Sequence, residues 1–449
     1  MPAISVVLPF RDAGAFLGDA VRSILAQKFA DFELLAIDNG SSDGSAAIVE
    51  ALARNDRRVR LLSAPGPSLP NALNRGIAEA SGRYIARMDG DDIALPARFG
   101  AQVAALERDS RLVLVGSAVE RIDRAGRVLD IAWYPSTPSC IRRALSDGVP
   151  CFCHPATMVR RDGLQRVGGY AANAAVNEDF DLWRRLAGIG DLANLDRPLL
   201  QYRLHAGSVG FARAREQATS LLGAASSRAG REPSETFVEV AAWWVDNAAT
   251  AGLHRTARRL AAELAAAAPG GRTRWTERRL RESAALLTAS RGDRLQALRY
   301  LAGIGFTRES GPPLWTLVLR PPVLEARQRD PEPAGGAAGY LDRIHLYEGR
   351  RRVLLFGWVP VTRRGLPDRI ALVAPCRITP LSLRLVRRPD VARAIDARHL
   401  YAGVRIEAAL ERALETGGGG LRVWCRSPEG AWRRLIDDST SIDAPQENS

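Results

Sequence analysis

The chain has 449 residues, 46% hydrophobic and 25% charged, with 63 Lys+Arg against 50 Asp+Glu and a mean hydropathy of -0.13. That balance excludes global disorder, and it excludes a membrane-spanning helix: the longest alanine-rich apolar stretch, Leu260 to Pro269, carries Glu263 and is half the roughly 20 residues a span needs. A single core stops growing at about 250 to 300 residues, so two or three domains are expected.

From the start to residue 210, short β-rich runs alternate with amphipathic segments. Ile4 to Leu8, Phe32 to Ile37, Val59 to Leu62, Tyr84 to Met88 and Leu112 to Val115 read as strands, which predicts an α/β domain with a largely parallel sheet. Over 211–328 the strand signals vanish, and apolar residues recur three or four apart, as in Leu260 and Leu264, which predicts a helical domain. A linker follows at 329–339 (RDPEPAGGAAG). Alternating patterns at Val353 and Leu355 and at Ile370 and Leu372, with a glycine-rich turn at Gly417 to Gly420, predict a β-sandwich over 340–438 and a polar tail at 439–449.

Lys28 is the one lysine, so arginine carries nearly all the positive charge. That lopsided usage, with no interleaved aromatics or recognition motif, argues against a nucleic-acid partner despite the net charge of +13. Five scattered cysteines form no disulfide framework, and Cys151-Phe152-Cys153 lacks the second pair that zinc requires. The N-terminal MPAISVVLPF runs straight into a strand, without the pattern of a secretory signal, and a cytoplasmic protein is expected.

Three strand ends carry acids. Arg87-Met88-Asp89-Gly90-Asp91-Asp92 places three carboxylates directly after a strand, a density that repels itself. Oxygen ligands of this kind suit Mg²⁺ or Mn²⁺ together with substrate phosphates, at the strand ends where open α/β sheets bind ligands. The bland alternative is a solvated loop before the helix at Pro96. Ile37-Asp38-Asn39-Gly40-Ser41-Ser42-Asp43-Gly44 and Pro9-Phe10-Arg11-Asp12 form two further polar turns on the same edge, suited to a nucleotide or to plain helix capping. Asn177-Glu178-Asp179-Phe180-Asp181 opens a helix, where Glu178 and Asp179 serve either as capping acids or as a general base. His154 and His205 are the two histidines of this region, each structural or a ligand.

The segments AIDNGSSDGS, ALNRGIAEASGRYIARMDGDDIALPARF, HPATMVRR, NEDFDLW and YRLHAGSV occur in an order and spacing that resemble the family 2 glycosyltransferases, over residues 3–210. The resemblance implies the GT-A fold and inverting sugar transfer from a nucleoside-diphosphate sugar, UDP-linked, to a hydroxyl on a glycan, lipid-linked or protein-linked acceptor of bacterial surface synthesis. It implies that Pro9, Arg11, Asp12, Asp38 and Asn39 face the nucleoside. Asp89 and Asp91 would grip ribose, metal (Mn²⁺ or Mg²⁺) and diphosphate, with Asp92 extending the element and His205 a further metal or diphosphate contact. Asp179 is the implied base, Glu178 and His154 lie beside it, and Arg87 or Arg203 helps neutralise the leaving group. Relatives carry an Asn after the first strand's aromatic and an Asp-Asp pair after the second, where this chain has Arg11-Asp12 and Asp38-Asn39, so base recognition differs in detail.

A catalytically silent sugar- or polymer-binding protein on the same fold is the competing reading, although it would need neither the acidic cluster nor the base. A dinucleotide oxidoreductase is excluded, because Pro9-Phe10-Arg11-Asp12-Ala13-Gly14 is not a Gly-x-Gly-x-x-Gly turn. Leu355-Phe356-Gly357-Trp358-Val359 and Arg387-Arg388-Pro389-Asp390 resemble β-rich accessory modules attached to bacterial glycosyltransferases, with Trp358 a core residue or a sugar platform. Arg255, Arg258, Arg259, Arg272, Arg274, Arg278 and Arg279 form either a solvated face or a peripheral contact with the inner face of a membrane.

Overall fold

The computed structural model describes residues 1–64, 66, 68–172, 174, 176–225 and 233–269, and beyond these 276–277, 280–281, 284–285, 288, 294–301, 323–327, 339–347, 352–358, 369–373, 378–386, 403–411, 422–426 and 432–437. The chain forms two compact units, Met1–Leu253 with Ala266–Arg272, and His254–Ala265 with Thr273–Ser449.

The first unit is built on a nine-stranded sheet. Strand β1 (Ile4–Phe10) is buried along its whole length, as a continuous apolar run in a central parallel strand should be. It pairs in parallel with β2 (Phe32–Asp38) on one side and β4 (Tyr84–Arg87) on the other, and β2 pairs in parallel with β3 (Val59–Ser63). Helices α1 (Gly14–Leu25), α2 (Ser45–Ala53) and α3 (Leu69–Glu79) make the crossovers. The chain therefore leaves β1 in one direction and returns on its other flank at β4. That reversal opens a crevice at the carboxyl ends of β1 and β4, where open sheets of this type take ligands.

The rest of the sheet is mixed. After the two-residue β5 (Ile93–Ala94) and α4 (Arg98–Arg108) comes the long β6 (Leu112–Ile122), with β7 (Val128–Ala132) hairpinned onto it. Helix α5 (Pro138–Ser146), β8 (Met158–Arg160), α6 (Arg161–Arg166), α7 (Glu178–Ala187) and β9 (Asp191–Arg203) follow. β8 sits antiparallel between β4 and β6, β9 runs parallel to β6, and β5 pairs antiparallel with the far end of β9. This last pairing, Ile93 with Gln201 and Ala94 with Leu200, brings the acidic turn after β4 to the end of β9.

Helices α8 (Val209–Ala212), α9 (Ala214–Ala225) and α10 (Pro233–Thr250) lie in the same unit. The second unit contains α11 (His254–Ala266) and α12 (Arg294–Leu301), then strands that pair in a single eight-stranded order. Trp358 falls on one of these, opposite Tyr340 and Gly403. The 329–339 linker apart from Gly339, the 439–449 tail, Arg272, Arg274, Arg278, Arg279, the Arg387–Asp390 segment and the Gly417–Gly420 turn lie outside the described residues. No described helix is long and apolar enough to cross a membrane.

Candidate functional site

The turns after β1 and β2 are stitched to each other. Asp12, in the left-handed region at φ 48°, accepts from the Ser42 amide at 2.7 Å and from the Ser42 hydroxyl at 3.1 Å, and its own amide donates to Ser41 Oγ. Asp43 accepts from the Gly14 amide at the start of α1 and from the Ser45 amide at the start of α2, and these bonds, the Ser45 hydroxyl's first, hold its carboxyl below the usual range. Asp38 Oδ1 accepts from the Ser41 amide at 2.9 Å, and the Asn39 amide donates to the Phe10 carbonyl. Asn39 is buried, and its Oδ1 has no hydrogen-bond partner among the described residues. Pro9 is buried within β1, and Arg11 is exposed next to Asp12 at 3.7 Å. The carboxylate of Asp12 is thus committed to shaping the turn, and Asp43 and Ser45 carry as much of that work.

The second component is the turn after β4. Carboxylate oxygens of Asp89, Asp91 and Asp92 lie within 4.8 Å of one another, the one such group of metal-ligating side chains among the described residues. Asp89 is ion-paired to the buried Arg87. His205 Nε2, 114 residues away in sequence, stands 3.0 Å from Asp91 Oδ2, with its ring against Phe16 at 5.2 Å. Asp92 is fully buried: Oδ1 accepts from the Arg203 amide at 2.8 Å, while Oδ2 has no hydrogen-bond partner among the described residues. Burial first, then the neighbouring carboxylates, push Asp92 well above the ordinary range, and burial also raises Asp89. For Arg87 burial opposes the charge, but the Asp89 carboxylate outweighs it and raises the pKa. Gly90 separates Asp89 from Asp91, and a Cβ there would come within 3.2 Å of Phe10 Cβ.

Arg203 is spent on structure. Its Nε donates to the Asp91 carbonyl at 2.8 Å, and Nη1 donates to the carbonyls of Asp123 and Arg124. The guanidinium therefore locks the acidic turn to the β6–β7 hairpin, which leaves Asp92 and Arg203 as supports beneath the ligating groups. Arg98 supports the turn from within. Fully buried, it donates to the Arg87 carbonyl at 2.6 Å and to Gln102 Oε1 at 3.1 Å, and burial lowers its pKa to about 10.

The third component is the first turn of α7. Asn177, in the left-handed conformation at φ 56°, precedes it, and its amide Nδ2 donates to the Gln217 carbonyl of α9 at 2.9 Å. The Gln217 side chain in turn accepts from the indole of the buried Trp244 in α10 at 3.1 Å. Asp179 Oδ1 accepts from the Phe180 amide at 2.7 Å, its side chain is 27% exposed, and its Oδ2 lies 3.9 Å from His154 Nδ1. Burial, followed by the Glu178 charge, raises Asp179 to about 7. Asp181, two residues on, is bound to Arg185 at 2.6 Å, and Arg185 also holds the Val167 and Gly169 carbonyls. His154 is buried, its Nε2 is 2.7 Å from the Tyr170 hydroxyl, and burial together with Arg87 pushes its pKa well below the ordinary value.

The acidic turn, His205 and Arg87 meet in one place, and Arg87 is near enough to Asp179 and His154 to influence the titration of both. Of the other groups in the same constellation, Tyr170 carries no motif signal of its own, whereas Arg98, Asp43 and Asn177 lie within the segments quoted above. Asn74 carried a usable one, lying in the ALNRG segment. Its side chain holds the Tyr170 amide at 2.9 Å and the Tyr170 carbonyl at 2.8 Å.

The profile of glycosyl transferase family 2 matches residues 5–168. The O-antigen biosynthesis glycosyltransferase WbnJ of Escherichia coli is 30% identical over 209 residues, 45% of this chain and 80% of WbnJ. An uncharacterized glycosyltransferase of Haemophilus influenzae is 29% identical over 215 residues, and the chain spans 66% of its length, as it does of the EpsE protein of Bacillus subtilis at 32% identity. Among solved structures, TarS 1-349 of S. aureus in complex with UDP-GlcNAc covers 66% of this chain at 14% identity and a TM-score of 0.40, too distant a likeness to add to the sequence match. The 30% identity with WbnJ over 80% of that protein's length, together with the profile match, establishes that the chain belongs to glycosyl transferase family 2.

Proposed function

We propose that the chain transfers a glycosyl group, with inversion, from a UDP-linked sugar to a hydroxyl acceptor in bacterial surface glycan synthesis, and that it needs Mn²⁺ or Mg²⁺. The observation that carries the reading is the pairing of a crowded aspartate turn, capped by His205, with a separate half-buried carboxylate of raised proton affinity. A family relative named for O-antigen biosynthesis and another named chondroitin synthase support the glycan acceptor. The work would be done in the cytoplasm, with a peripheral contact at the inner membrane face.

The donor set fits a hard divalent cation. Asp89 and Asp91 supply carboxylate oxygens and His205 supplies an imidazole nitrogen, with three carboxylates set against the single guanidinium of Arg87. When bound, the ion offsets the negative charge that gathers on a departing diphosphate. Asp38, Asn39 and the turn around Asp12 would hold the nucleoside, and Arg11 lies exposed beside them.

Asp179 is the base. An acceptor hydroxyl attacks the anomeric carbon from the face opposite the diphosphate, so a new carbon–oxygen bond forms as the carbon–phosphate-oxygen bond breaks. The diphosphate leaves with the electron pair, and the hydroxyl proton passes to Asp179 Oδ2. A carboxylate whose pKa lies near 7 is well matched to that transfer, worth about 10² to 10⁴ in rate. Asp181 is held by Arg185 and is a poor candidate.

The test is a panel of nucleotide sugars with purified protein, reading nucleoside diphosphate release with and without EDTA. Turnover should appear with a UDP-sugar, vanish in EDTA and return with Mn²⁺ or Mg²⁺. Asp91→Ala should abolish metal-dependent UDP binding by calorimetry. Full activity in EDTA, or UDP binding unchanged in Asp91→Ala, would overturn the metal assignment.

A further inference from the structure

Three groups lie in series toward Asp179, the half-buried Asn74 and the buried Tyr170 and His154. Asn74 on α3 clamps both backbone groups of Tyr170; the Tyr170 hydroxyl meets His154 Nε2 at 2.7 Å; and His154 Nδ1 faces Asp179 Oδ2 at 3.9 Å. The imidazole is held in plane by Trp183, edge-on at 6.1 Å and 85°, and by Tyr170 at 5.6 Å. Gly169, at φ 68°, admits the clamp, since a Cβ there would sit 2.7 Å from Asn74 Oδ1.

A neutral imidazole has one N–H, and its position is set by what the other nitrogen meets. Burial keeps His154 neutral and raises the Tyr170 phenol, so the phenol retains a proton that it can donate to Nε2 at 2.7 Å. With Nε2 accepting, the proton of the ring sits on Nδ1 and points at Asp179.

We propose that Tyr170 fixes His154 as the Nδ1–H tautomer, making His154 a positioning residue that donates to the Asp179 carboxylate and orients it toward the acceptor hydroxyl. The proposal rests on the assignment of Asp179 as base. The proposal requires the 3.9 Å gap to close by about 1 Å when Asp179 ionises, the size of a carboxylate rotation. The other charged or titratable groups facing this set are Arg87 from β4, Asp89 from the acidic turn, Glu178 from α7, and Cys151. All four stay in place when one phenol oxygen is removed.

Tyr170→Phe removes that oxygen and nothing else. Ring ¹⁵N NMR on substrate-free protein at pH 8, with five histidines in the chain and His154 identified by its loss in His154→Gln, reads the tautomer without any donor. Wild-type His154 should be protonated on Nδ1, and Tyr170→Phe should populate the Nε2–H form. In turnover with the UDP-sugar from the donor panel, Tyr170→Phe should lower kcat about tenfold at unchanged donor KM. It should also move the kcat midpoint upward in pH, because a bare Nδ1 lone pair disfavours the ionised base. Nε2–H in the wild type, or an unchanged kcat and midpoint in Tyr170→Phe, overturns the proposal. Near-normal turnover in Asp179→Asn would instead overturn the base assignment beneath it, so the two failures are distinct.

Discussion

The acidic turn after β4 and the first turn of α7 are both runs of carboxylates at the start of an element, yet the fold treats them in opposite ways. In the turn, three aspartates are crowded to within 4.8 Å, one arginine and one histidine touch them, and the deepest one is turned inward to hold β9. In α7, the acids are dispersed: Asp181 is neutralised by Arg185, Glu178 is left partly exposed, and Asp179 is kept apart from other acids except Glu178. A crowded set invites a cation, whereas an isolated carboxylate beside a neutral imidazole keeps a proton affinity near neutrality. One residue type thus acquires two chemistries from its surroundings.

The sharpest way to break that comparison is to neutralise each acid of α7 in turn. Asp179→Asn keeps shape and loses the basic lone pair, so turnover should fall by about two orders of magnitude or more while UDP affinity stays within about twofold. Asp181→Asn should cost only a few-fold, through the loosened Arg185 that also holds the loop carbonyls of Val167 and Gly169. Steady-state kinetics beside calorimetry separates the two effects. Collapse in Asp181→Asn or Glu178→Gln, with Asp179→Asn near normal, would move the base to another carboxylate.

How much of this was legible in the sequence follows from the range over which each feature is encoded. Strands β1 to β4 and the start of β6 were readable because each is a contiguous apolar run, and the acidic turn because three like charges in four residues stand out. The companion groups were not. Arg98 reads as an ordinary surface arginine opening a helix, and only the fold reveals that its fork is filled by the Arg87 carbonyl and Gln102. Arg203 was expected as a cation for the diphosphate, but β9 ends where three carbonyls absorb its donors. Asp43 and Ser45 matter through bonds to a turn about thirty residues earlier, a pairing no local pattern encodes.

A second, smaller effect concerns stability. The Asp179 carboxyl has a pKa of about 7 in the folded chain against an ordinary 3.8. Between those values the folded state binds the extra proton, so this group's contribution to stability is fully present below about 3.8 and is lost as pH rises through about 7. Above pH 7 the ionised carboxylate is a cost that Asp179→Asn removes. Thermal melts should therefore show the variant a few degrees above the wild type at pH 8, with the difference shrinking toward pH 4. A variant that melts lower at pH 8 than at pH 5, relative to the wild type, would show that Asp179 is stabilised in its charged form and would remove the contrast with the acidic turn.

The smallest effect tests how the isolation of Asp179 is maintained. Asn177 holds a left-handed backbone, costly for a residue with a Cβ by about 1 kcal/mol, and its amide crosses to the Gln217 carbonyl, which Trp244 steadies from α10. Residue 217 lies beyond the 5–168 stretch that the family profile matches, and through it a helix after β9 reaches back to the turn that carries Asp179. Asn177→Gly keeps the backbone conformation and loses the tie, whereas Asn177→Ala loses both. If the tie orients Asp179, Gly should lower kcat about threefold, Ala somewhat more, and both should raise hydrogen exchange in the peptide spanning Glu178 to Trp183 with donor KM unchanged. Trp244→Phe removes the indole N–H at the far end of the chain of bonds together with part of a buried ring, and it should raise exchange at the same peptide to a lesser degree. Equal exchange in all three variants and the wild type would mean that α7 holds Asp179 by its own packing, through the buried Phe180, Leu182 and Trp183.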